Sequence, residues 1–224
     1  MSNKEFNIWE EFAKEANGKF IEEFSWHSAK TEIDYKDLKI IFDNYTLWSG
    51  KYSTKMTRII VPFNSVDSFR FKIYNSGLIS QIEKIFGGQD VKIGREDFDK
   101  EFIIKANNEL KIKTLLQNQK IRSIIQNQRN VHIEISDQKG IWEEKLPEKE
   151  FELSLYEDGK IEDIERLKLM LNLFKEIIDA LFKMKSIEKK STANRQGFVA
   201  CAAQTMKPVL NGTDYMPSTL MELL

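Results

Sequence analysis

Apolar side chains recur at every second position along short segments of the first third of the chain. Phe69, Phe71 and Ile73, for example, alternate with charged residues. This period is typical of strands with one buried face and one wet face. Residues 19–75 are therefore predicted to form antiparallel β-structure.

Two details of this β-rich segment are also predicted. The run TRIIVP (57–62) is expected to end as a strand at Pro62, because proline cannot donate to a sheet ladder. The sequence SGKYSTK (49–55) is expected to connect two strands as a hairpin.

Further strands are predicted downstream, at 91–93, 100–105 and 131–135, followed by a hairpin of 141–146 with 151–155. Within 131–135, His132 and Glu134 alternate with apolar residues. Both are expected to face solvent.

Helical periodicity marks the remaining segments. A wide apolar stripe predicts a long helix at about 160–185, with Asp158–Gly159 as its N-terminal cap. Shorter helices are predicted in four other places: 3–17, 76–86, 108–117 and 119–128.

These elements predict an α+β fold. We expect a mainly antiparallel curved sheet with the long C-terminal helix packed on one face, plus short helices. A parallel α/β fold is disfavoured, because the strands come in groups without helical crossovers.

Composition divides the chain near residue 190. Residues 1–190 are predicted to form a single α+β domain. Residues 191–224 are a compositionally distinct tail, since isoleucine does not occur after Ile187 and Phe198 is the tail's only phenylalanine. Flexibility, docking onto a partner and a separate origin all stay open for this tail.

Charge and cysteine content narrow the functional classes. The 224 residues carry 34 Lys+Arg and 35 Asp+Glu, a net charge of -1, which argues against a dedicated nucleic-acid binder. The single cysteine, Cys201, permits no intramolecular disulfide. No apolar run approaches the roughly 20 residues that span a bilayer. We therefore expect a cytoplasmic protein with no membrane span.

The chain lacks the usual signatures of cofactor chemistry. His27 and His132 have no spaced Cys or His partner, so no metal site and no cofactor are expected. The stretch GGQDVKIG (87–94) has glycines but no phosphate-binding pattern, and is predicted to be a loop. No serine lies in a G-x-S-x-G elbow.

Acidic clusters leave one catalytic alternative open. Asp97, Asp99 and Glu101 lie within the stretch REDFDKE. Such clusters are typical of solvated helix starts, but they also permit a carboxylate-dependent hydrolase.

One segment is basic. No acidic residue lies between Glu109 and Glu134. Its cations suit contact with phosphate groups, or they form the wet side of two amphipathic helices. The candidate contact patch consists of Lys111, Lys113, Lys120, Arg122 and Arg129.

Trp48 is the candidate exposed aromatic residue, because it precedes the predicted hairpin connection. An exposed aromatic side chain beside a loop is typical of a contact site.

The stretch FDKEFIIKANNELKIKTLL (98–116) resembles a family of uncharacterised bacterial domains. In that family an F-D-x-x-F strand leads into an Asn-containing turn and a leucine-pair helix. The resemblance covers about 70–190 and implies an α+β fold, with no established activity and no site residues. The matching positions are Phe98, Asp99, Phe102, Asn108, Leu115 and Leu116.

The leading functional hypothesis is a non-enzymatic cytoplasmic binding module with an unknown protein partner. One alternative is contact with a polyanion, either nucleic acid or an anionic surface, through Lys111–Arg129. The other is the carboxylate-dependent hydrolase.

Overall fold

The computed structural model describes residues 7–23, 28–49, 52–76, 89–128, 131–138 and 145–187. Within them, nine strands form one sheet in the order β1-β2-β3-β4-β9-β8-β5-β7-β6. The strands are β1 (Lys19–Ile21), β2 (Lys30–Tyr35), β3 (Leu38–Ser49), β4 (Tyr52–Asn64), β5 (Phe71–Asn75), β6 (Gln89–Asp90), β7 (Phe102–Ala106), β8 (His132–Ser136) and β9 (Glu150–Asp158).

Five helices accompany the sheet in the described part of the chain. They are α1 (Ile8–Glu15), α2 (Glu96–Glu101), α3 (Glu109–Leu116), α4 (Gln119–Gln126) and α5 (Ile164–Lys183). Every described strand pair is antiparallel, and the sheet is curved. The predicted α+β class, with a long C-terminal helix, is confirmed.

One face of the sheet forms the hydrophobic core with the helices. Alternate residues of the central strands point into it, including Phe71 and Ile73 of β5 and Leu153 of β9, all at most 1% exposed. The apolar stripe of α5, including Phe174 and Ile178, joins the same cluster. The 3.6-residue period of the helix and the two-residue period of the strands thus meet in one core.

The hairpin between β3 and β4 is tighter than predicted. Ser49 pairs with Tyr52, so only two residues connect the strands and residues 52–55 belong to β4. The predicted strand end at Pro62 is wrong, because β4 continues to Asn64. Pro62 pairs with Glu152 of β9. The ladder between β4 and β3 ends two residues before the proline, at Ile60. Proline is therefore placed where one side of the strand needs no donor.

The first helix has the predicted apolar face. Its N-cap is Asn7, whose side chain accepts a hydrogen bond from the N–H of Trp9. Gly18 follows the helix where the chain passes close to β2. A Cβ there would lie 2.8 Å from Cγ1 of Ile33 and 2.9 Å from the carbonyl oxygen of Glu32. The helix can therefore sit close to the sheet edge.

The long helix α5 begins later than predicted. Its cap is Asp163, which accepts hydrogen bonds from the N–H groups of Glu165 and Arg166. Asp158–Gly159 instead end β9, where Gly159 takes a φ of 83° and its carbonyl accepts from the Thr57 hydroxyl.

The strand that the family resemblance implied at Phe98 is not formed. Phe98 lies in α2, and β7 starts at Phe102. The two rings pack together with centroids 4.7 Å apart, because residues four apart share one side of a helical turn. The predicted strand at 91–93 also lies earlier, at Gln89–Asp90.

The second face of the sheet is polar and buried, which contradicts the predicted exposure of His132 and Glu134. They are 8% and 2% exposed. We call this surface the polar face, defined by Asp43, Arg58, Lys72, His132, Glu134, Ser136, Glu152, Ser154 and Tyr156. Two-residue alternation cannot by itself tell a wet face from a covered polar one.

Several predictions fall outside the described residues: most of the helix at 76–86, residues 141–144 of the hairpin and the tail at 191–224. The described helices include none with the length and apolar character needed to cross a membrane.

Candidate functional site

The helix pair α3–α4 holds most of the predicted basic patch. Each helix has an asparagine cap: Asn108 accepts from the N–H of Lys111 at 3.1 Å, and Asn118 from the N–H of Lys120 at 2.9 Å. Apart from the exposed Leu110, the apolar side chains of the pair mostly go inward, and its cations are left on the outer side. The buried ones are Ile112, Leu115, Leu116, Ile121 and Ile125.

A tight loop faces this pair and is organised by one carboxylate. Asp99 accepts hydrogen bonds from the N–H groups of Ile93, Gly94 and Arg95 at 3.0, 2.9 and 3.1 Å. Gly94 takes a φ of 78°, which residues with a side chain rarely adopt. Asp99 thus shapes the loop and sets the position of Arg95.

A cleft of about 360 Å³ lies between the loop and the helix pair, and we call it the basic cleft. Its lining residues are Ile93, Gly94, Arg95, Lys113, Leu116, Gln117 and Arg122. Three of these seven are cations, and none is acidic. The cations come from the loop, from α3 and from α4.

The three cations are held differently. Lys113 is half-buried and forms an ion pair with Glu109, one turn earlier on α3, at 2.6 Å. Arg122, also half-buried, donates to the carbonyl of Leu116 at the end of α3, which satisfies a helix-terminal acceptor. Arg95 is exposed. Neither arginine lies within 4 Å of a described carboxylate oxygen.

The rest of the predicted patch lies elsewhere. Lys111 is bound between Asp67 and the hydroxyl of Ser186. Lys120 is exposed and lies 3.3 Å from a carboxylate oxygen of Glu176. Arg129 and the side chain of Trp48 are outside the described residues. The structure therefore brings together two of the five predicted cations, Lys113 and Arg122, and adds Arg95.

The candidate hydrolase carboxylates do not converge. Asp97 accepts a hydrogen bond from the Gln126 amide at 3.2 Å, and this bond, followed by the N–H of Phe98, lowers the pKa of Asp97. Asp99 is engaged by the loop, and Glu101 is exposed. Across the described segments there is no group of three His, Cys, Asp or Glu residues placed to hold a metal ion.

The polar face is the second concentration of charge. Arg58 donates to both carboxylate oxygens of Asp43, at 2.9 and 2.6 Å, and its guanidinium lies 4.8 Å from the ring centre of Tyr45. Burial alone lowers the pKa of Arg58, but the Asp43 carboxylate outweighs it and raises that pKa overall. Burial, followed by the charge of Glu152, raises the pKa of Tyr156.

A second buried ion pair lies on the neighbouring strands. Lys72 of β5 is directly opposite Glu134 of β8, with 2.7 Å between the ammonium nitrogen and a carboxylate oxygen. His132 Nε2 lies 3.6 Å from the same oxygen. Burial alone raises the pKa of Glu134, but His132 and Lys72 more than offset it, and the pKa is lowered overall.

Sequence reasoning missed two features of these sites. Arg95 was hidden because its stretch, REDFDKE, is mostly acidic. The buried ion pairs were hidden because their partners come from different strands, such as Asp43 with Arg58. The glycine before Arg95 indicates a turn, but not which residues Arg95 lies beside.

Comparisons with protein-family models, curated proteins and solved structures found no match for this chain.

Proposed function

We propose that this protein is a non-enzymatic binding module that takes an anionic ligand in the basic cleft. The observation that carries the proposal is the convergence of Arg95, Lys113 and Arg122 on one cleft whose lining contains no carboxylate. Cations on separate elements that face a common space attract and orient an anion.

The chemistry of the lining favours binding over catalysis. The cleft offers guanidinium, ammonium and amide donors, but its lining includes no carboxylate, histidine, serine or cysteine to act as a base or nucleophile. A lining rich in cationic donors is suited to hold an anion. Two carboxylates beside the cleft, Asp99 and Glu109, are engaged by the loop N–H groups and by Lys113.

Two lysines provide a matched test. Lys113 and Lys120 each pair with one glutamate, Glu109 and Glu176, but only Lys113 lines the cleft. We expect Lys113→Glu to weaken pyrophosphate binding at least tenfold at low salt, measured by calorimetry, because it places a carboxylate at the cleft and leaves Glu109 unpaired, and both negative charges repel the anion.

The control is Lys120→Glu, which changes the net charge by the same amount. We expect its pyrophosphate affinity to stay within about twofold of the parent protein, since an exposed charge away from the cleft is screened. Equal losses in the two variants would show that pyrophosphate responds only to overall charge, and the proposal would fail.

A further inference from the structure

We infer that the basic cleft selects the phosphate group of a small phosphomonoester over the backbone of a charged polymer. This inference rests on the anion-binding function proposed above and specifies its ligand class. Three properties of the cleft carry it: its charge, the carboxylates beside it and its size.

The charge of the cleft matches one phosphomonoester. Of the three lining cations, Lys113 is already paired with Glu109, so two positive charges remain. A phosphomonoester carries about −1.5 to −2 at pH 7. A nucleic-acid backbone carries one negative charge per phosphate, and matches this site only if several phosphates enter it together.

Carboxylates limit the basic surface on both helices. On α3, Glu109 lies one turn before Lys113. On α4, Gln126 lies one turn after Arg122, and its amide holds the carboxylate of Asp97. The hydrogen bond from Gln126 lowers the pKa of Asp97, and an aspartate is ionised at neutral pH even without such a shift. A carboxylate therefore limits the positive surface within one turn before Lys113 on α3 and within one turn after Arg122 on α4.

An extended backbone would meet those carboxylates. One helical turn rises about 5.4 Å, and successive charges along a nucleic-acid strand are about 3.4 Å apart along its axis. A strand laid along α3 or α4 with one phosphate in the cleft would bring following phosphates toward Glu109 or Asp97. Like charges in that arrangement repel, whereas a single compact group avoids them.

The size and lining of the cleft fit a small organic molecule. Its volume of about 360 Å³ is in the range of small-ligand pockets, about 300–1,000 Å³. Ile93, which is half-buried, adds apolar surface beside the cations. The ligand class is therefore a phosphate monoester with a small, partly apolar remainder.

The experiment compares phenyl phosphate with an oligonucleotide that has a 5′-hydroxyl and only phosphodiesters. The full chain is titrated with each probe by calorimetry at one salt concentration. We expect phenyl phosphate to bind at least tenfold more tightly per site than the oligonucleotide. Arg95→Gln, a change at an exposed side chain, should weaken phenyl phosphate binding about tenfold.

Removing the flanking carboxylates sharpens the comparison. The double variant Asp97→Asn and Glu109→Gln should raise oligonucleotide affinity at least fivefold and narrow the difference between the two probes. If the double variant leaves the difference in affinity between the two probes unchanged, the role given to the carboxylates is overturned.

A lipid headgroup and a free metabolite can both carry a phosphate monoester, so binding to vesicles is measured in a separate experiment. Retention on phosphatidic acid vesicles, with loss on Arg95→Gln, would support the monoester class and place the ligand in a membrane. Equal retention on phosphatidylglycerol vesicles, which carry a phosphodiester, would overturn it.

The two proposals fail differently. Tighter binding of the oligonucleotide than of phenyl phosphate, still lost with Lys113→Glu, would overturn the monoester class and leave the anion-binding function standing. Binding of neither probe, together with no pyrophosphate binding, would overturn the two together, and so would binding that is insensitive to both Lys113→Glu and Arg95→Gln.

Discussion

The polar face of the sheet and the basic cleft both concentrate charge, but they leave their cations in opposite states. On the polar face, Arg58 is held by both oxygens of Asp43, and Lys72 lies against Glu134. In the cleft, Arg95 and Arg122 are beyond ion-pair distance of every described carboxylate. Most side chains of the polar face are buried and Arg58 is half-buried, whereas Arg95 is exposed.

This difference separates structural charge from charge available to a ligand. A buried cation must be paired, because an unpaired charge in a low-dielectric environment is strongly destabilising. The carboxylate partner already neutralises the buried cation, so an external anion gains little by binding there. A half-exposed cation without such a partner stays hydrated and can exchange water for a ligand oxygen. Substitutions on the polar face should therefore alter stability, and substitutions in the cleft should alter ligand affinity.

The largest expected effect comes from breaking the ion pair of Arg58 with Asp43. Arg58→Ala should reduce the free energy of unfolding by about 3–5 kcal/mol, since it leaves the Asp43 carboxylate buried without its partner. Urea unfolding followed by circular dichroism measures this loss. Affinity for phenyl phosphate, measured where the variant remains folded, should be unchanged.

A paired replacement distinguishes the lost ion pair from lost packing. Asp43→Leu with Arg58→Met removes both charges and should recover most of the stability lost in Arg58→Ala. Recovery of less than about 1 kcal/mol would show that the guanidinium stabilises the sheet mainly through other contacts, such as its stacking on Tyr45.

The next effect is the pH dependence of stability through Glu134. Because its pKa in the folded state is lowered from the usual 4.5, ionised Glu134 contributes stability that is fully present above about pH 5 and lost as the pH falls through the folded-state value. Glu134→Gln should cost about 2–3 kcal/mol at pH 7. The difference from the parent protein should shrink below pH 4.5.

Urea midpoints at pH 7.0, 5.5, 4.0 and 3.0 test this prediction. Glu96→Gln is the control, since its ion pair with Lys100 is almost fully exposed and contributes little. A Glu134→Gln difference that stays constant down to pH 3 would contradict the linkage.

The fold and the cleft differ in how far the sequence could predict them. The long helix and the strand at 131–135 follow from periodicity, because Phe174, Ile178 and Ile133 recur at spacings set by local geometry. The polar face was predicted as solvated, since alternation in one strand cannot show what covers its second side. Whether the second side of a strand is solvated or buried depends on neighbouring strands.

The cleft shows the same limit. Lys113 and Arg122 could be proposed because an acid-free segment is visible along the sequence. Arg95 could not be grouped with them, because its position depends on three hydrogen bonds from the loop to Asp99. Asp99 itself was predicted within a carboxylate cluster, whereas it positions backbone N–H groups. Contacts between distant segments are not encoded in local spacing.

Because Asp99 holds the loop beside the cleft, replacing it should reduce stability, but by less than the substitutions on the polar face. Asp99→Ala removes the acceptor of three backbone hydrogen bonds and should reduce the free energy of unfolding by about 1–3 kcal/mol. Amide exchange at residues 93–95 should become at least tenfold faster. Asp97→Ala, two residues earlier with one side-chain bond to Gln126, is the matched control and should leave that exchange unchanged.

The smallest expected effect is at Lys120, an exposed cation that is paired and lies outside the cleft. Its ammonium group lies 3.3 Å from Glu176, but its side chain is 76% exposed, so water and salt screen the pair. Lys120→Ala should change the free energy of unfolding by less than about 1 kcal/mol and leave phenyl phosphate affinity within twofold. A larger loss of affinity would extend the binding surface along α4 beyond the cleft. In that case the decisive property of a cation would be its place on the helix surface, and the division between paired and available charges would no longer separate structure from function.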